Sequence, residues 1–224
     1  MSRLIFITGG SGYMGKGLIP LLLEGGHEIR ALARPGSERQ VPAGAQTITG
    51  NALQEDSYAA SVSGADTFVH LIGVAHPGPS KARQFREVDW VSAQVAVKSA
   101  RAAGIRHFVY LSVAQPAPVM KEYVAVRAEC EATIRASGMA ATFLRPWYVL
   151  GPGHRWPCFL LPFYKVCEWL PATRAASRRL GLVTLPQMLR ALVWAVENPP
   201  ESTQILDVPR IRALSEGRTG SVPA

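Results

Sequence analysis

The sequence TGGSGYMG at positions 8–15 follows directly on the apolar run LIFI at positions 4–7. Gly9, Gly12 and Gly15 recur at every third residue of this stretch. The apolar run predicts a strand, the glycines permit a tight turn, and the residues that follow predict a helix. The N-terminus of such a helix offers free N–H donors and the positive end of a dipole, which suits a pyrophosphate. In this strand–turn–helix context the glycines indicate a dinucleotide-binding site rather than an ordinary glycine-rich connection.

Strand-like apolar runs alternate with helix-like stretches along most of the chain. The predicted strands lie at 4–8, 28–33, 46–49, 67–72, 107–111, 141–144 and 205–208. The predicted helices lie at 15–24, 54–63, 85–103, 122–136 and 185–197. This alternation predicts an α/β fold, a doubly wound parallel sheet with crossover helices on both faces. We expect residues 1–150 to form the dinucleotide-binding core, residues 151–214 a small C-terminal substrate or lid region packed on that core, and residues 215–224 a loose tail.

The composition is that of a packed globular chain of 224 residues, 48% of them hydrophobic, with a formal net charge of +8. The basic residues are scattered and do not interleave with aromatic side chains, which argues against a nucleic-acid partner. Cys130, Cys158 and Cys167 form no CxxC pair and no metal-ligand spacing, so we expect no metal site. No apolar run approaches the ~20 residues of a membrane span, and the first strand begins too early for a signal peptide. A cytoplasmic protein is therefore expected.

The end of the second predicted strand bears on the choice of cofactor. An NAD-specific site usually places an acidic residue there to bind the ribose hydroxyls, but Arg34 stands at this point and no acid is present. An arginine can pair with a 2′-phosphate and stack on adenine, which favours NADP(H) over NAD(H). Asn51, which follows the third strand, has two interpretations: it bonds the adenine edge, or it is an ordinary turn residue.

Two further predicted strands end at residues that suit chemistry. The fourth runs out through LIG at positions 71–73, and Gly73 allows the chain to pass close to a cofactor. The fifth ends at Ser112, after which Tyr123 and Arg127 lie four residues apart on one face of a predicted helix. A cation beside a phenol lowers the pKa of the phenol and can hold the nicotinamide ribose, so this pair can carry acid–base chemistry.

Aromatic side chains are concentrated after Pro146, and they have three interpretations. They line an apolar substrate pocket, they meet a partner or a membrane surface with help from nearby arginines, or they cover the sheet edge as core. The aromatic residues are Trp147, Tyr148, Trp156, Phe159, Phe163, Tyr164 and Trp169, and the arginines are Arg174, Arg178 and Arg179. His154 lies in the turn that precedes most of them, where a surface position is the simpler interpretation.

Several stretches together resemble the atypical short-chain dehydrogenases/reductases of the NAD-dependent epimerase/dehydratase superfamily. They are TGGSGYMG, HFVYLS, YVAVRAECE, SGMAATFLRP and the following VLGPG, and the resemblance covers roughly residues 3–210. The likeness is to the NmrA-like branch and to the complex-I-associated branch of NAD(P)-binding proteins. It implies a Rossmann-type sheet, a nicotinamide cofactor, and a pocket between the carboxyl edge of the sheet and a small C-terminal region.

The resemblance also implies roles for single residues. The position of Ser112 polarises a substrate carbonyl, that of Tyr123 donates the proton, and that of Arg127 is normally a lysine that holds the ribose. Arg127 is therefore a departure, because an arginine cannot share a proton at neutral pH. Pro146 and the residues after it line the nicotinamide. The candidate cofactor-binding residues are Thr8, Gly9, Gly12, Tyr13, Met14, Gly15, Arg34, Asn51, Ala52, Leu71, Ile72, Gly73, Ser112, Tyr123, Arg127, Pro146, Trp147, Tyr148 and Val149.

Two functions follow, from different classes. The first is an NADP(H)-dependent oxidoreductase that transfers hydride between the cofactor and a small apolar carbonyl, enone or quinone-like substrate. The second is a non-catalytic NADP(H)-binding redox sensor or assembly factor, which the replacement of lysine by Arg127 favours. A sugar-nucleotide epimerase ranks below both, because the C-terminal region is small. A monomer and a homodimer both stay open, as does peripheral contact with a membrane.

Overall fold

The computed structural model of the chain describes residues 2–152 and 180–215. The strands are β1 (Leu4–Thr8), β2 (Glu28–Ala33), β3 (Gln46–Thr49), β4 (Thr67–His70), β5 (His107–Leu111), β6 (Ala140–Arg145), β7 (Tyr148–Leu150), β8 (Leu182–Thr184) and β9 (Thr203–Asp207). A seven-stranded parallel sheet has the order β3-β2-β1-β4-β5-β6-β9, and β7 pairs with β8 in a separate parallel ribbon. The order of the first six strands is that of a Rossmann-type doubly wound sheet, which confirms the predicted fold class.

Helices cover both faces of the sheet. They are α1 (Tyr13–Glu24), α2 (Ala59–Val62), α3 (Ala82–Gln84), α4 (Val91–Ala102), α5 (Lys121–Ala136), α6 (Leu185–Glu197) and α7 (Val208–Ser215), and a π-helical turn at Phe85–Trp90 joins α3 to α4. In the described residues, none of these helices has both the length and the apolar character needed to cross a membrane.

The alternation of side chains along the strands divides the core into two layers. Phe6, Phe68 and Phe108 pack side by side on the face covered by α4 and α5. Ile5 and Val69, their neighbours in the chain, point into the layer covered by α1, α6 and α7. Because successive residues of a strand face opposite sides, a fully apolar run such as LIFI serves both layers at once.

The order of the strands reverses between β1 and β4, and this reversal positions the site. From β1 the chain moves outward through β2 and β3, then returns to the other side of β1 to form β4. Helices cross over on opposite faces on the two sides of this point, so a crevice opens at the carboxyl ends of β1 and β4. Thr8 and His70 end these two strands side by side, with Thr8 Oγ1 2.8 Å from His70 Nδ1.

The predicted elements are close to the observed ones where the apolar pattern is long. β1, β2, β3, β5 and α6 have the predicted bounds. β4 ends at His70 and not at Ile72, because the chain leaves the sheet at Leu71 to cross its carboxyl edge. The three-residue strands β7 and β8 and the helix α7 were not predicted, since such short segments carry too little periodicity. The predictions made for residues 153–179 and 216–224 lie outside the described residues, and these include most of the aromatic segment, His154, the three arginines and the loose tail.

Candidate functional site

The glycine turn after β1 is built by contacts that leave no room for side chains. Gly9 has a φ of 83°, and a Cβ on it would come within 3.3 Å of the Leu71 carbonyl carbon. The Gly12 N–H donates to the Gly9 carbonyl at 3.0 Å and closes the turn. A Cβ on Gly15 would lie 2.5 Å from the carbonyl oxygens of both Gly9 and Gly10. The helix can therefore approach the turn closely only because position 15 is a glycine.

The start of α1 fits the diphosphate of a dinucleotide. Helix α1 begins at Tyr13, and Gly12 before it has no side chain with which to cap the helix. The first N–H groups of a helix have no partner within the helix, and they carry the positive end of its dipole. The first turn of α1 contains no acidic residue that would occupy this position instead. The cradle formed by Gly9, Gly12 and Gly15 thus has the shape and the donors that a pyrophosphate requires.

Gly10 is a residue of this turn that the sequence analysis left out. A Cβ on Gly10 would lie 2.7 Å from the Ala31 Cβ, so the missing side chain lets the turn pack against β2. A signal for it exists in the sequence, because Gly10, Gly12 and Gly15 also satisfy the spacing G-x-G-x-x-G.

The adenosine side of the predicted site lies at the ends of β2 and β3. Arg34 follows β2 directly, and its side chain is exposed to solvent. The Asn51 side-chain oxygen accepts a hydrogen bond from the Leu53 N–H at 3.0 Å, which is the turn contact that one interpretation expected. Ala52 is buried beside it. The sequence-predicted contacts of Arg34 and Asn51 with a nucleotide stay predictions.

A cavity of about 740 Å³ opens at the carboxyl edge of the sheet, next to the start of α1. It brings together a large part of the predicted site, with residues from the glycine turn, from the ends of β5 and β6, and from α5. The predicted residues in its wall are Tyr13, Met14, Ser112, Tyr123, Arg127, Pro146, Trp147, Tyr148 and Val149. The other predicted residues do not form this wall and belong to the turn and to the ends of β1 to β4: they are Thr8, Gly9, Gly12, Gly15, Arg34, Asn51, Ala52, Leu71, Ile72 and Gly73.

The remaining wall of the cavity is largely apolar. It consists of His76, Pro77, Pro79, Leu111, Val113, Val119, Met120 and Leu182. His76 and Met120 are the non-glycine residues with positive φ, at 49° and 57°, in the part of the chain that the structure describes. Backbone strain of this kind concentrates at functional sites, and both strained residues face the same cavity.

Tyr123 is held at the cavity by an aromatic ring and a cation. Its ring packs against Phe85 with centroids 4.9 Å apart, and the Arg127 guanidinium carbon lies 5.2 Å from its centroid. Burial raises the pKa of the Tyr123 phenol; the Arg127 cation opposes this rise and the Asp89 carboxylate adds to it. The cation therefore lowers the pKa of Tyr123, as predicted, but burial raises this pKa by more. The phenol keeps its proton at neutral pH.

Arg127 is engaged with protein groups inside the fold. Its Nη2 forms an ion pair with Asp89 Oδ1 at 2.6 Å. Its Nη1 donates to the Leu111 carbonyl at 2.8 Å and to the Tyr110 hydroxyl at 3.1 Å. The ribose contact that the resemblance implies stays a prediction, and it would have to be made by a guanidinium that already has these partners. Asp89, which the sequence analysis missed, carries no local signal because it lies 38 residues before Arg127 in the chain.

Ser112 is also committed to a buried acid. Its hydroxyl donates to Glu131 Oε1 at 2.7 Å. Glu131 is fully buried and also binds Arg145 at 2.5 Å and Arg135 at 2.9 Å. The Ser112 proton therefore points to Glu131, and the polarising role implied by the resemblance requires it to turn toward the cavity. Glu131 is a second residue that sequence reasoning missed.

A neutral histidine lies beneath the point where the strand order reverses. His70 is fully buried, with Thr8 Oγ1 2.8 Å from its Nδ1 and Ser92 Oγ 3.3 Å from its Nε2. Burial lowers the pKa of His70 to about 3, and the nearby Arg127 cation contributes to this. His70 is thus uncharged at neutral pH and serves the fold through its two hydrogen-bonding nitrogens.

The fold and the glycine cradle define a nucleotide-binding protein of the Rossmann class, and the comparisons identify the family. The chain belongs to the NAD(P)H-binding family, whose model matches residues 9–153. Its relatives include short-chain dehydrogenases/reductases and epimerases, which confirms the resemblance drawn from the sequence. The family is one of NAD(P)-binding oxidoreductases.

Individual relatives agree with this assignment. The chain is 30% identical over 199 residues to a ceramide reductase from Caulobacter vibrioides, covering 87% of this chain and 57% of that protein. It is 25% identical over 168 residues to a 4-hydroxy-2-methyl-3-oxo-4-farnesyl-3,4-dihydroquinoline-1-oxide ketoreductase from Stigmatella aurantiaca, covering 65% of this chain and 50% of that protein. The chain thus spans about half the length of these curated relatives.

A solved structure with the same fold is that of the Bordetella bronchiseptica enzyme WbmH in complex with NAD⁺. The two chains superpose with a TM-score of 0.68 at 17% identity, covering 92% of this chain and 75% of that one. This likeness concerns the fold alone.

Proposed function

We propose that this chain is an NADP(H)-dependent reductase that transfers hydride to the carbonyl carbon of an apolar ketone, enone or quinone-like compound. The observation that carries the proposal is the cavity at the carboxyl edge of the sheet. Its wall contains Tyr123 and Ser112 together with Tyr13 and Met14 from the start of α1. A proton donor and the first residues of the helix that follows the cradle therefore border one space, which supports the arrangement that carbonyl reduction needs.

Carbonyl reduction needs Tyr123 in its protonated form. A nicotinamide held beside the cavity would supply hydride to the carbonyl carbon, and the carbonyl oxygen would then need a proton. Burial raises the pKa of Tyr123, so the phenol is protonated at neutral pH and can donate from Oη. Oxidation of an alcohol would require the phenolate as a base, which this environment disfavours. The tyrosinate left after reduction recovers its proton from water that enters the cavity.

The wall of the cavity supports an apolar substrate. Val113, Val119, Met120 and Leu182 face it, and its wall within the described residues contains no carboxylate. The named relatives are a ceramide reductase and a farnesyl-quinoline-oxide ketoreductase, whose substrates by name carry long apolar groups. We infer that the substrate is an uncharged ketone with a lipid-like or isoprenoid portion, which would gain free energy by leaving water.

The preference for NADP(H) rests on the end of β2. Arg34 is exposed directly after this strand, at the point where NAD-specific sites place an acid. A guanidinium in this position can make two hydrogen bonds to a 2′-phosphate. We propose that the other cofactor-binding residues predicted from the sequence contact the same cofactor molecule.

A second function is favoured by the polar groups of the same cavity. Ser112 donates to Glu131 and Arg127 pairs with Asp89, so two members of the reductase constellation are bound to protein acids. A protein that binds NADP(H) and reports its redox state to a partner, without turnover, would need neither group. This sensor function predicts different affinities for the oxidised and reduced cofactor and no reaction.

The reductase function is tested by NADPH consumption with a panel of apolar ketones, enones and quinones. We expect turnover that Tyr123→Phe lowers by about 10²–10⁴-fold, with little change in NADPH affinity, because the variant lacks only the proton to be donated. Tyr58→Phe is the matched control, since it removes the hydroxyl of a buried tyrosine in the core that stacks on Phe6. Full activity in Tyr123→Phe would exclude the assignment, and binding of NADPH without any turnover would favour the sensor.

A further inference from the structure

Asp89 and Arg127 form an ion pair that is almost entirely removed from solvent. The Arg127 Nη2 lies 2.6 Å from Asp89 Oδ1, and their side chains are 5% and 0% exposed. A buried ion pair of this kind is expensive to desolvate, and replacement by apolar residues is often no less stable. Stability alone therefore gives no reason for its presence at the wall of a cavity.

The loop that leaves β4 is shaped around this pair. A Cβ on Gly73 would overlap Arg127 Nη2 and would lie 3.3 Å from Asp89 Oδ1, so only glycine leaves space for the guanidinium. The next residue, Val74, donates its N–H to Asp89 Oδ2 at 3.0 Å. One carboxylate oxygen thus pairs with the arginine, and the other accepts the hydrogen bond from the loop. An uncharged amide could not make both contacts, because its nitrogen only donates.

Arg127 in turn connects Asp89 to Tyr123. The guanidinium is fixed by the Leu111 carbonyl and the Tyr110 hydroxyl, and its carbon lies 5.2 Å from the centroid of the Tyr123 ring. Arg127 Nε is buried without a hydrogen-bond partner among the described residues. The cation is therefore held in one place by its two Nη atoms, next to the phenol that borders the cavity.

We propose that Asp89 is a positioning residue, which joins the Leu111 carbonyl and the Tyr110 hydroxyl in holding the Arg127 guanidinium beside Tyr123 and balances its charge, so that the phenol keeps its proton until a reducible carbonyl takes it. The link to carbonyl reduction rests on the proposed function, whereas the charge balance is a property of this chain by itself.

The groups that act on Tyr123 are few and agree with this role. Arg127 and Cys130 lie on its own helix, and Asp89 reaches it from the π-helical turn that packs against α5. Of these, Asp89 raises the pKa of Tyr123 and Arg127 lowers it, with burial the largest cause. His76, Tyr13 and Tyr148 border the same cavity from other elements.

The test is a titration of Tyr123 itself, which needs neither cofactor nor substrate. We would replace Tyr123 by 3,5-difluorotyrosine, because its phenol ionises nearer neutral pH than that of tyrosine. Its fluorine NMR signal would then be followed as a function of pH. In Asp89→Asn the midpoint should move to lower pH, because Arg127 keeps its bonds to Leu111 and Tyr110 but loses its counter-charge. Glu87→Gln is the matched control: it removes an exposed carboxylate from the same helical turn and should leave the midpoint unchanged.

Two outcomes would overturn the proposal: an unchanged midpoint in Asp89→Asn, or one that moves to higher pH. Arg127→Gln keeps the test decisive if Asp89→Asn fails to fold, because removal of the cation should raise the midpoint above that of the wild type. A midpoint that does not rise in Arg127→Gln would also overturn it. Absence of turnover with the ketone panel would refute the proposed function. It would not change the midpoints of the Tyr123 titrations, so failure of the proposed function and failure of the role of Asp89 can be distinguished.

Discussion

The two halves of the candidate site are built in different ways. The cradle after β1 consists of backbone, and its shape depends on what Gly9, Gly12 and Gly15 lack. The half that contains Ser112 and Tyr123 consists of side chains: Ser112 is bonded to the buried Glu131, and Tyr123 lies against Arg127, which pairs with the buried Asp89. The first half can accept a ligand because its glycines have no side chains. The second half is preorganised by the residues that its side chains contact.

This difference explains how each half tolerates change. A backbone cradle depends on local conformation, so one added carbon is enough to fill it. A side-chain site depends on the balance of buried charges, so removal of either partner leaves the other without compensation. The following predictions test the two halves separately.

The largest effect on cofactor affinity is expected from Gly15→Ala. The new Cβ would lie 2.5 Å from two carbonyl oxygens, so the turn or the start of α1 must move. We expect the Kd for NADPH to rise about 100-fold, since overpacking typically costs 1–3 kcal/mol. Isothermal titration calorimetry measures this change.

Gly17→Ala is the control for that variant. It lies on the same helix, but its Cβ would meet the Leu189 side chain, which can adjust. Equal losses of NADPH affinity in the two variants would show that the helix as a whole, and not the cradle, responds.

The next effect concerns the second half of the site. In Gly73→Ala the added Cβ would displace the Arg127 guanidinium from Asp89. We expect the free energy of unfolding in urea to fall by about 3 kcal/mol, because the buried pair is broken. The loss should shrink in the background of Arg127→Met, where no guanidinium occupies the space. A loss of the same size in both backgrounds would contradict the described contact.

These contacts show how far the sequence could lead. The glycine turn and the alternation of strands and helices follow from patterns within a few residues, and both were predicted. Asp89 and Glu131 were not, because the tertiary fold alone brings them to Arg127 and Ser112. The roles of Ser112 and Arg127 could be inferred by resemblance, but the direction of their hydrogen bonds depends on those distant acids. Strands β7 and β8 escaped prediction because three residues cannot display a period.

His70 lies between the two halves, and it makes stability depend on pH. Its pKa is lowered from 6.5 to about 3 in the folded chain, so below pH 6.5 only the unfolded chain takes up this proton. Stability is then lost as pH falls. Between about pH 7 and about pH 5.5 this group costs about 1 kcal/mol. Over this pH range the free energy of unfolding of His70→Gln, measured in urea, should fall by about 1 kcal/mol less than that of the wild type. Parallel losses in both proteins would show that His70 is not buried in the neutral form.

The smallest effect on cofactor affinity is expected at Arg34, on the adenosine side of the predicted site. Arg34→Leu should weaken NADPH binding about tenfold and leave NADH binding unchanged, since a surface contact with a phosphate contributes on the order of 1.4 kcal/mol. Energy transfer from tryptophan to the reduced cofactor reports both affinities. Arg39→Leu is the control, as an exposed arginine further along the same loop. A wild type that prefers NADH would remove the role assigned to Arg34.

The central claim is that Tyr123 and the dinucleotide cradle serve one reaction in one cavity. The most direct measurement follows deuterium from NADPH that carries two deuterium atoms at C4 into the product of an apolar ketone, by mass spectrometry, in the wild type and in Tyr123→Phe. The account predicts a single deuterium on the carbinol carbon in the wild type and a large loss of product in the variant. Deuterium that never reaches the product, or equal product from both proteins, would contradict it.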